Sequence, residues 1–142
     1  MGRGGAYIPG APRTISGTEA FIGNPVTSDP VRFARNAAVL EEEPALGLGP
    51  PTIAWADSAL HLMKRFKARS YAAQLRQPIL LVAAGRDQVV STAAIETFGS
   101  QLLAGRHLIV AGSMHEILQE QDHYRDQFWA AFDAFVPGTP LY

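Results

Sequence analysis

The sequence predicts an α/β fold in which parallel strands present chemistry at their carboxyl ends. Ile79 to Ala84 is unbroken apolar chain bounded by Pro78 and Gly85, the pattern of a central parallel strand buried on both faces. His107-Leu108-Ile109-Val110 reads as a second short strand after the Gly105 stop signal. A helix between them, capped by Ser91 and carrying Ile95, Phe98 and Leu102 on one side, completes a β-α-β unit with the right-handed crossover such units adopt.

The elements before this unit are helical. Residues 1–27 are rich in Gly, Pro, Ser and Thr and follow neither helical nor strand periodicity, so extended, weakly ordered loop is expected there. Ser28 or Asp29 can cap a first helix and Pro30 suits its first turn; it should run to about Glu43 and stop before Pro44. After the break at residues 44–51, Thr52 can cap a second helix. There Ile53, Ala56, Leu60, Met63 and Phe66 recur at threes and fours, which predicts one buried stripe. Lys64, Arg65, Lys67 and Arg69 place positive charge where the helix dipole favours it. A last helix carries Tyr124, Phe128, Phe132 and Phe135 in one stripe and should end at Pro137-Gly138.

Composition narrows the function classes. Hydrophobic residues make up 47% of the 142 and charged residues 18%, below the roughly 25% of an average soluble protein, which suggests much buried surface. A formal net charge of -1 offers no long-range field for nucleic acid. With no cysteine there is no disulfide, thiolate nucleophile or sulfur metal site. No apolar run approaches the roughly 18 residues of a membrane span, and the N-terminus lacks the apolar stretch of a signal peptide. The expected location is the cytoplasm, free or at the periphery of a membrane, with no cofactor and no transmembrane segment.

Asp87 and His115 each follow an apolar strand, and parallel neighbours bring such strand ends side by side, where open α/β sheets hold their active sites. Gly-Arg-Asp alone is ordinary turn chemistry and a lone histidine is ordinary too. Together they supply two members of a nucleophile, base and acid triad, in which the carboxylate fixes the histidine tautomer and stabilises its imidazolium. Glu116 and Glu120 compete for the acid role, but Glu116 adjoins His115 and cannot easily reach back to its ring. His107 lies in or beside a strand, and His61 and His123 sit on helices without ligand partners three or four residues away, so no metal site is expected. Glu41-Glu42-Glu43 reads as a solvated helix end, and Met114, Trp55 and Met63 as packing residues. No serine stands in a Gly-x-Ser-x-Gly context.

Residues 7–138 resemble the lid and C-terminal half of the lysophospholipase and monoacylglycerol-lipase group of α/β-hydrolases. The matching stretches are Asn24-Pro25-Val26-Thr27-Ser28-Asp29 with Arg32-Phe33-Ala34-Arg35, then Leu46-Gly47-Leu48-Gly49 with Pro51-Thr52 and Trp55. Ala84-Gly85-Arg86-Asp87-Gln88-Val89-Val90-Ser91 and Gly112-Ser113-Met114-His115-Glu116-Ile117-Leu118-Gln119-Glu120 follow in the family's order. The resemblance implies a helical lid over residues 28–70 and the C-terminal part of a parallel α/β-hydrolase core over 71–142. It makes Asp87 the triad acid and His115 the general base, acting on a serine upstream of Met1, with the first half of the fold and its nucleophile elbow absent.

Two function classes follow. One is a serine ester hydrolase of lysophospholipase or monoacylglycerol-lipase type, cleaving a small lipid or ester through an acyl-enzyme, of which this chain carries acid and base but no nucleophile. The other is a degenerate, non-catalytic hydrolase that binds a lipid or a protein. In either case two strands cannot cover their own apolar faces, so self-association through exposed sheet surface is expected.

Overall fold

The computed structural model describes residues 4–10 and 20–136. Helix α1 (Pro30–Glu42) begins as its sequence requires: Asp29 accepts from the amides of Val31 and Arg32, and Pro30 takes the first position. Glu43 already leaves the helix, and Pro44–Leu46 adds a single 3-10 turn that periodicity did not indicate. Helix α2 (Ile53–Lys67) is capped by Thr52, whose hydroxyl accepts from the Trp55 amide at 3.2 Å.

Two further orphan amides at the start of α2 are satisfied from far upstream. Ile53 N donates to the Ala6 carbonyl at 2.9 Å and Ala54 N to that of Gly4 at 3.0 Å. Ile8 N reaches Pro51 O at 3.2 Å, and Tyr7 forms an isolated antiparallel bridge with Thr52. Residues 4–10 are thus irregular, as expected, but not loose: a helix start leaves free N–H groups that any nearby carbonyls can take up. The expected loop over 11–19 and the Pro137-Gly138 stop lie outside the described residues.

The buried stripe expected on α2 is not buried. Ile53, Leu60, Met63 and Phe66 are between 37% and 55% exposed, and no residue of the helix is buried. Among the described residues the chief partner of α2 is the short helix α3 (Arg69–Gln74), an element the sequence did not reveal. At the carboxyl end of the stripe Phe66 meets Tyr71 of α3 and Phe98 at ring separations of 5.6 and 5.2 Å. Periodicity reports that a helix has an apolar side; it does not say whether anything lies across from it.

Strands β1 (Ile79–Ala84) and β2 (Gly105–Val110) pair in parallel, Ile79 beside Gly105 through Ala84 beside Val110. β2 therefore starts two residues before His107. It is apolar only in its carboxyl half, since Arg106 and His107 are exposed, which corrects the expectation of two fully apolar strands. Helix α4 (Thr92–Gly99) ends before Leu102, which lies in the turn that packs beside Gly105. Helix α5 (Asp122–Phe135) closes the described chain.

Strand alternation divides the work. Val82, Ala84, Leu108 and Val110 point to one face, where Ile117, Tyr124 and Phe128 pack on them as the core. On the other face Gly99 of α4 approaches His107 so closely that an added Cβ would stand 3.1 Å from its Cβ. The best-buried part of the sheet is thus its carboxyl end, with Ala84 and Val110 at 2% and 0% exposure, the end that carries Asp87 and His115.

Candidate active site

Beyond the last ladder pair the two chains stay stitched. Gly85 N donates to Val110 O at 3.0 Å and Arg86 N to Ser113 O at 2.8 Å. This approach needs glycine at two points. A Cβ on Gly85 would stand 3.0 Å from Val110 O, and Gly112 has φ +85° with the Tyr124 hydroxyl 2.9 Å from where its Cβ would be. The Thr92 hydroxyl ties the head of α4 to the Ala84 carbonyl at 2.6 Å.

These ties bring the two strand-end residues into contact: Asp87 Oδ2 lies 2.9 Å from His115 Nδ1. The other carboxylate oxygen, Oδ1, accepts from the amides of Val89 and Val90 at 2.8 and 2.9 Å, so the acid is oriented by its own turn. Its side chain is 3% exposed and that of His115 32%. Burial pushes the Asp87 carboxyl upward, but the Val90 amide, the His115 ring and the Val89 amide together outweigh it and hold the group below the ordinary carboxylate value. An ionised Asp87 can only accept, so His115 Nδ1 must carry the proton of that bond. In the neutral ring Nε2 is then the free basic nitrogen, and it has no hydrogen-bond partner among the described residues. His115 lines a cavity of about 520 Å³ whose walls include Asn36, Val82, Ile117, Leu118 and Phe128.

The competing acids are placed elsewhere. Glu116 is exposed. Glu120 is fully buried, but it accepts from Met114 N, Ser28 Oγ and Gln121 N rather than from the histidine. The serines near the pair are engaged as well: Ser113 is buried and donates to Val110 O at 2.8 Å, and Ser91 caps α4 through Ala94 N. His61 does have a partner one turn back, Asp57, 3.4 Å away, against the expectation of none at that spacing. No three His, Asp or Glu side chains gather as a metal would require among the described residues.

Sequence reasoning missed the support of the histidine loop. Thr27, 2% exposed, donates to Gln119 O at 2.8 Å. Arg32 Nη1 reaches Asp29 Oδ2 at 2.8 Å and the Glu120 carbonyl at 2.6 Å, and its Nη2 reaches Asp122 Oδ1 at 2.5 Å. The head of α1 is thereby bolted to the loop that follows β2. The only signal in the chain is a run of polar, cap-type residues at 27–29, which read equally well as a helix start alone.

A family model described as serine aminopeptidase S33 (Hydrolase_4) matches residues 20–122 of this chain. The chain belongs to this hydrolase family. Lysophospholipase L2 of Escherichia coli strain K12 is 29% identical over 112 residues, covering 74% of this chain and 32% of that protein. Lysophospholipase L2 of E. coli O6:H1 strain CFT073 matches to the same extent. Among solved structures, a soluble variant of monoglyceride lipase from Saccharomyces cerevisiae in complex with a substrate analog superposes with a TM-score of 0.62 at 14% identity, covering 87% of this chain and 42% of that one. The two parallel strands with their helices are thus part of an α/β-hydrolase fold like that of this neighbour. The chain spans about a third of the length of the curated relatives it matches.

Proposed function

We propose that this member of the Hydrolase_4 family contributes the acid and the base of a serine ester hydrolase acting on lysophospholipid-like or monoacylglycerol-like substrates, with Asp87 as acid and His115 as base. The observation that carries the reading is the 2.9 Å bond from His115 Nδ1 to a buried carboxylate, which leaves Nε2 free on a residue lining a cavity that Val82, Ile117, Leu118 and Phe128 share with Asn36, Glu116 and Gln119. The nucleophile is a serine outside residues 1–142. His115 Nε2 would take its proton as the hydroxyl attacks the ester carbonyl, then return that proton to the departing alcohol. It would next draw a proton from water to release the fatty acid from the acyl-enzyme. Asp87 holds the ring and stabilises its charged form. Residues 28–70, with the unpaired apolar side of α2, serve in this reading as the lid over the acyl chain.

The test is a hybrid. Residues 20–136 replace the matching segment of E. coli lysophospholipase L2, and release of fatty acid from lysophosphatidylcholine is followed. Turnover that Asp87→Asn lowers by about 10⁴ and His115→Ala by about 10⁶ supports the reading. A folded hybrid whose turnover ignores both substitutions removes it and favours a non-catalytic binding role. The chain alone should not hydrolyse a p-nitrophenyl short-chain ester above background, because a base and acid without a hydroxyl have nothing to activate. Turnover by residues 1–142 that disappears in His115→Ala would instead locate the nucleophile within this chain.

A further inference from the structure

We propose that Glu120 is a positioning residue for His115, holding the histidine's backbone through Met114 and locking it to the head of α1 through Ser28. The inference rests on reading His115 as the base of the site. Glu120 is a carboxylate at 0% exposure, which is hard to accommodate unless its lone pairs are used. Three donors converge on it: Met114 N at 2.8 Å on Oε1, and Ser28 Oγ at 2.5 Å and Gln121 N at 3.2 Å on Oε2. No guanidinium or ammonium group reaches this carboxylate among the described residues; Arg32 bonds the Glu120 backbone carbonyl instead.

Its placement relative to His115 gives this arrangement a purpose. The two amides that flank the histidine in sequence are both taken, Met114 N by Glu120 and Glu116 N by Val26 O at 2.8 Å. Val26 and Thr27 are themselves held by Asn24 Oδ1 at 3.0 Å each. His115 is therefore bracketed by residues 24–28 on one side and Glu120 on the other. An apolar residue in place of Glu120 could fill the space but would leave the Met114 amide and the Ser28 hydroxyl buried without acceptors. Glutamine can still accept from Met114 but loses the second acceptor oxygen, so it should restore the role in part.

The experiment uses the full 142-residue chain labelled with ¹⁵N, and follows the Nδ1–H proton of His115, which is shielded from exchange only while bonded to Asp87. Glu120→Ala should make that proton exchange about tenfold faster or more, the scale of losing one ordinary hydrogen bond. Glu120→Gln and Ser28→Ala should fall between this variant and the parent. Phe98→Ala, which removes the ring that α4 places against Phe66 and Tyr71, should lower the melting temperature and leave the His115 proton unchanged. A folded Glu120→Ala chain with unchanged exchange overturns the proposal, as does equal loss in Phe98→Ala. If Glu120→Ala does not fold, unchanged exchange in both Glu120→Gln and Ser28→Ala overturns it. The measurement needs no turnover, so the two failures are told apart: a folded hybrid whose turnover ignores His115→Ala and Asp87→Asn sinks the hydrolase reading, and unchanged proton exchange sinks this one.

Discussion

Asp87 Oδ2 meets His115 Nδ1 at 2.9 Å across a separation of 28 residues, and the same carboxylate spends its other oxygen on the Val89 and Val90 amides of its own turn. The acid is held twice, once by its own loop and once by its partner. Their common position follows from parallel pairing, which sets the carboxyl ends of β1 and β2 together.

That double hold fixes the sign of a pH effect. The Asp87 carboxyl titrates below its ordinary value in the folded chain, while the unfolded chain titrates near 3.9. Between those values the unfolded state binds more protons. The contribution is therefore complete above about pH 5 and is lost as pH falls through the folded value. Melting temperatures taken from about pH 7 to about pH 3 should fall along this course. Asp87→Asn should flatten the slope without abolishing it, because Asp29 and Asp122 are also held low. An Asp87→Asn chain with the parent's full slope would contradict the assignment.

Arg32 should matter more for joining elements than for its charge. Its fork bonds Asp29, Asp122 and the Glu120 carbonyl, so Arg32→Ala should lower the melting temperature. Arg32→Lys should recover little of the loss, since a single ammonium cannot reproduce a planar fork. Full recovery by lysine, read in the same thermal melts, would reduce the role to charge alone.

Gly112→Ala tests the turn that delivers the histidine. Its φ of +85° and the nearby Tyr124 hydroxyl mean that alanine should cost about 1–2 kcal/mol, measured by denaturant unfolding. A stability equal to the parent's would mean that the turn accommodates a side chain.

Among the described residues the apolar side of α2 and the edges of the two-stranded sheet are uncovered, which should drive self-association. Trp55 is 63% and Leu60 55% exposed, and such surface is uncommon on a monomer. Sedimentation velocity should show mass rising with concentration, reduced in a Trp55→Ser, Leu60→Ser double variant. A monodisperse monomer at all concentrations would contradict this.

What could be read from the chain was local. The caps at Asp29 and Thr52, the run Ile79–Ala84 and the strand-end positions of Asp87 and His115 all follow from short patterns that the structure reproduces. What could not be read was long-range or depended on absent neighbours. The stripe on α2 has the same spacing whether covered or open, and α3 is too short for any period to show. Glu120 reads only as a competitor for the acid role until Ser28, 92 residues away, is seen to donate to it.

The two halves of the pair differ in how far the chain must travel to seat them. Asp87 is secured by closures of two and three residues, whereas the loop bearing His115 is secured by contacts spanning 92 residues, Thr27 to Gln119 and Ser28 to Glu120. Chain-closure entropy grows with that span, so the short closures around the carboxylate are the easier to form. On that ground the turn that holds Asp87 should close before the head of α1 docks on the loop that carries His115.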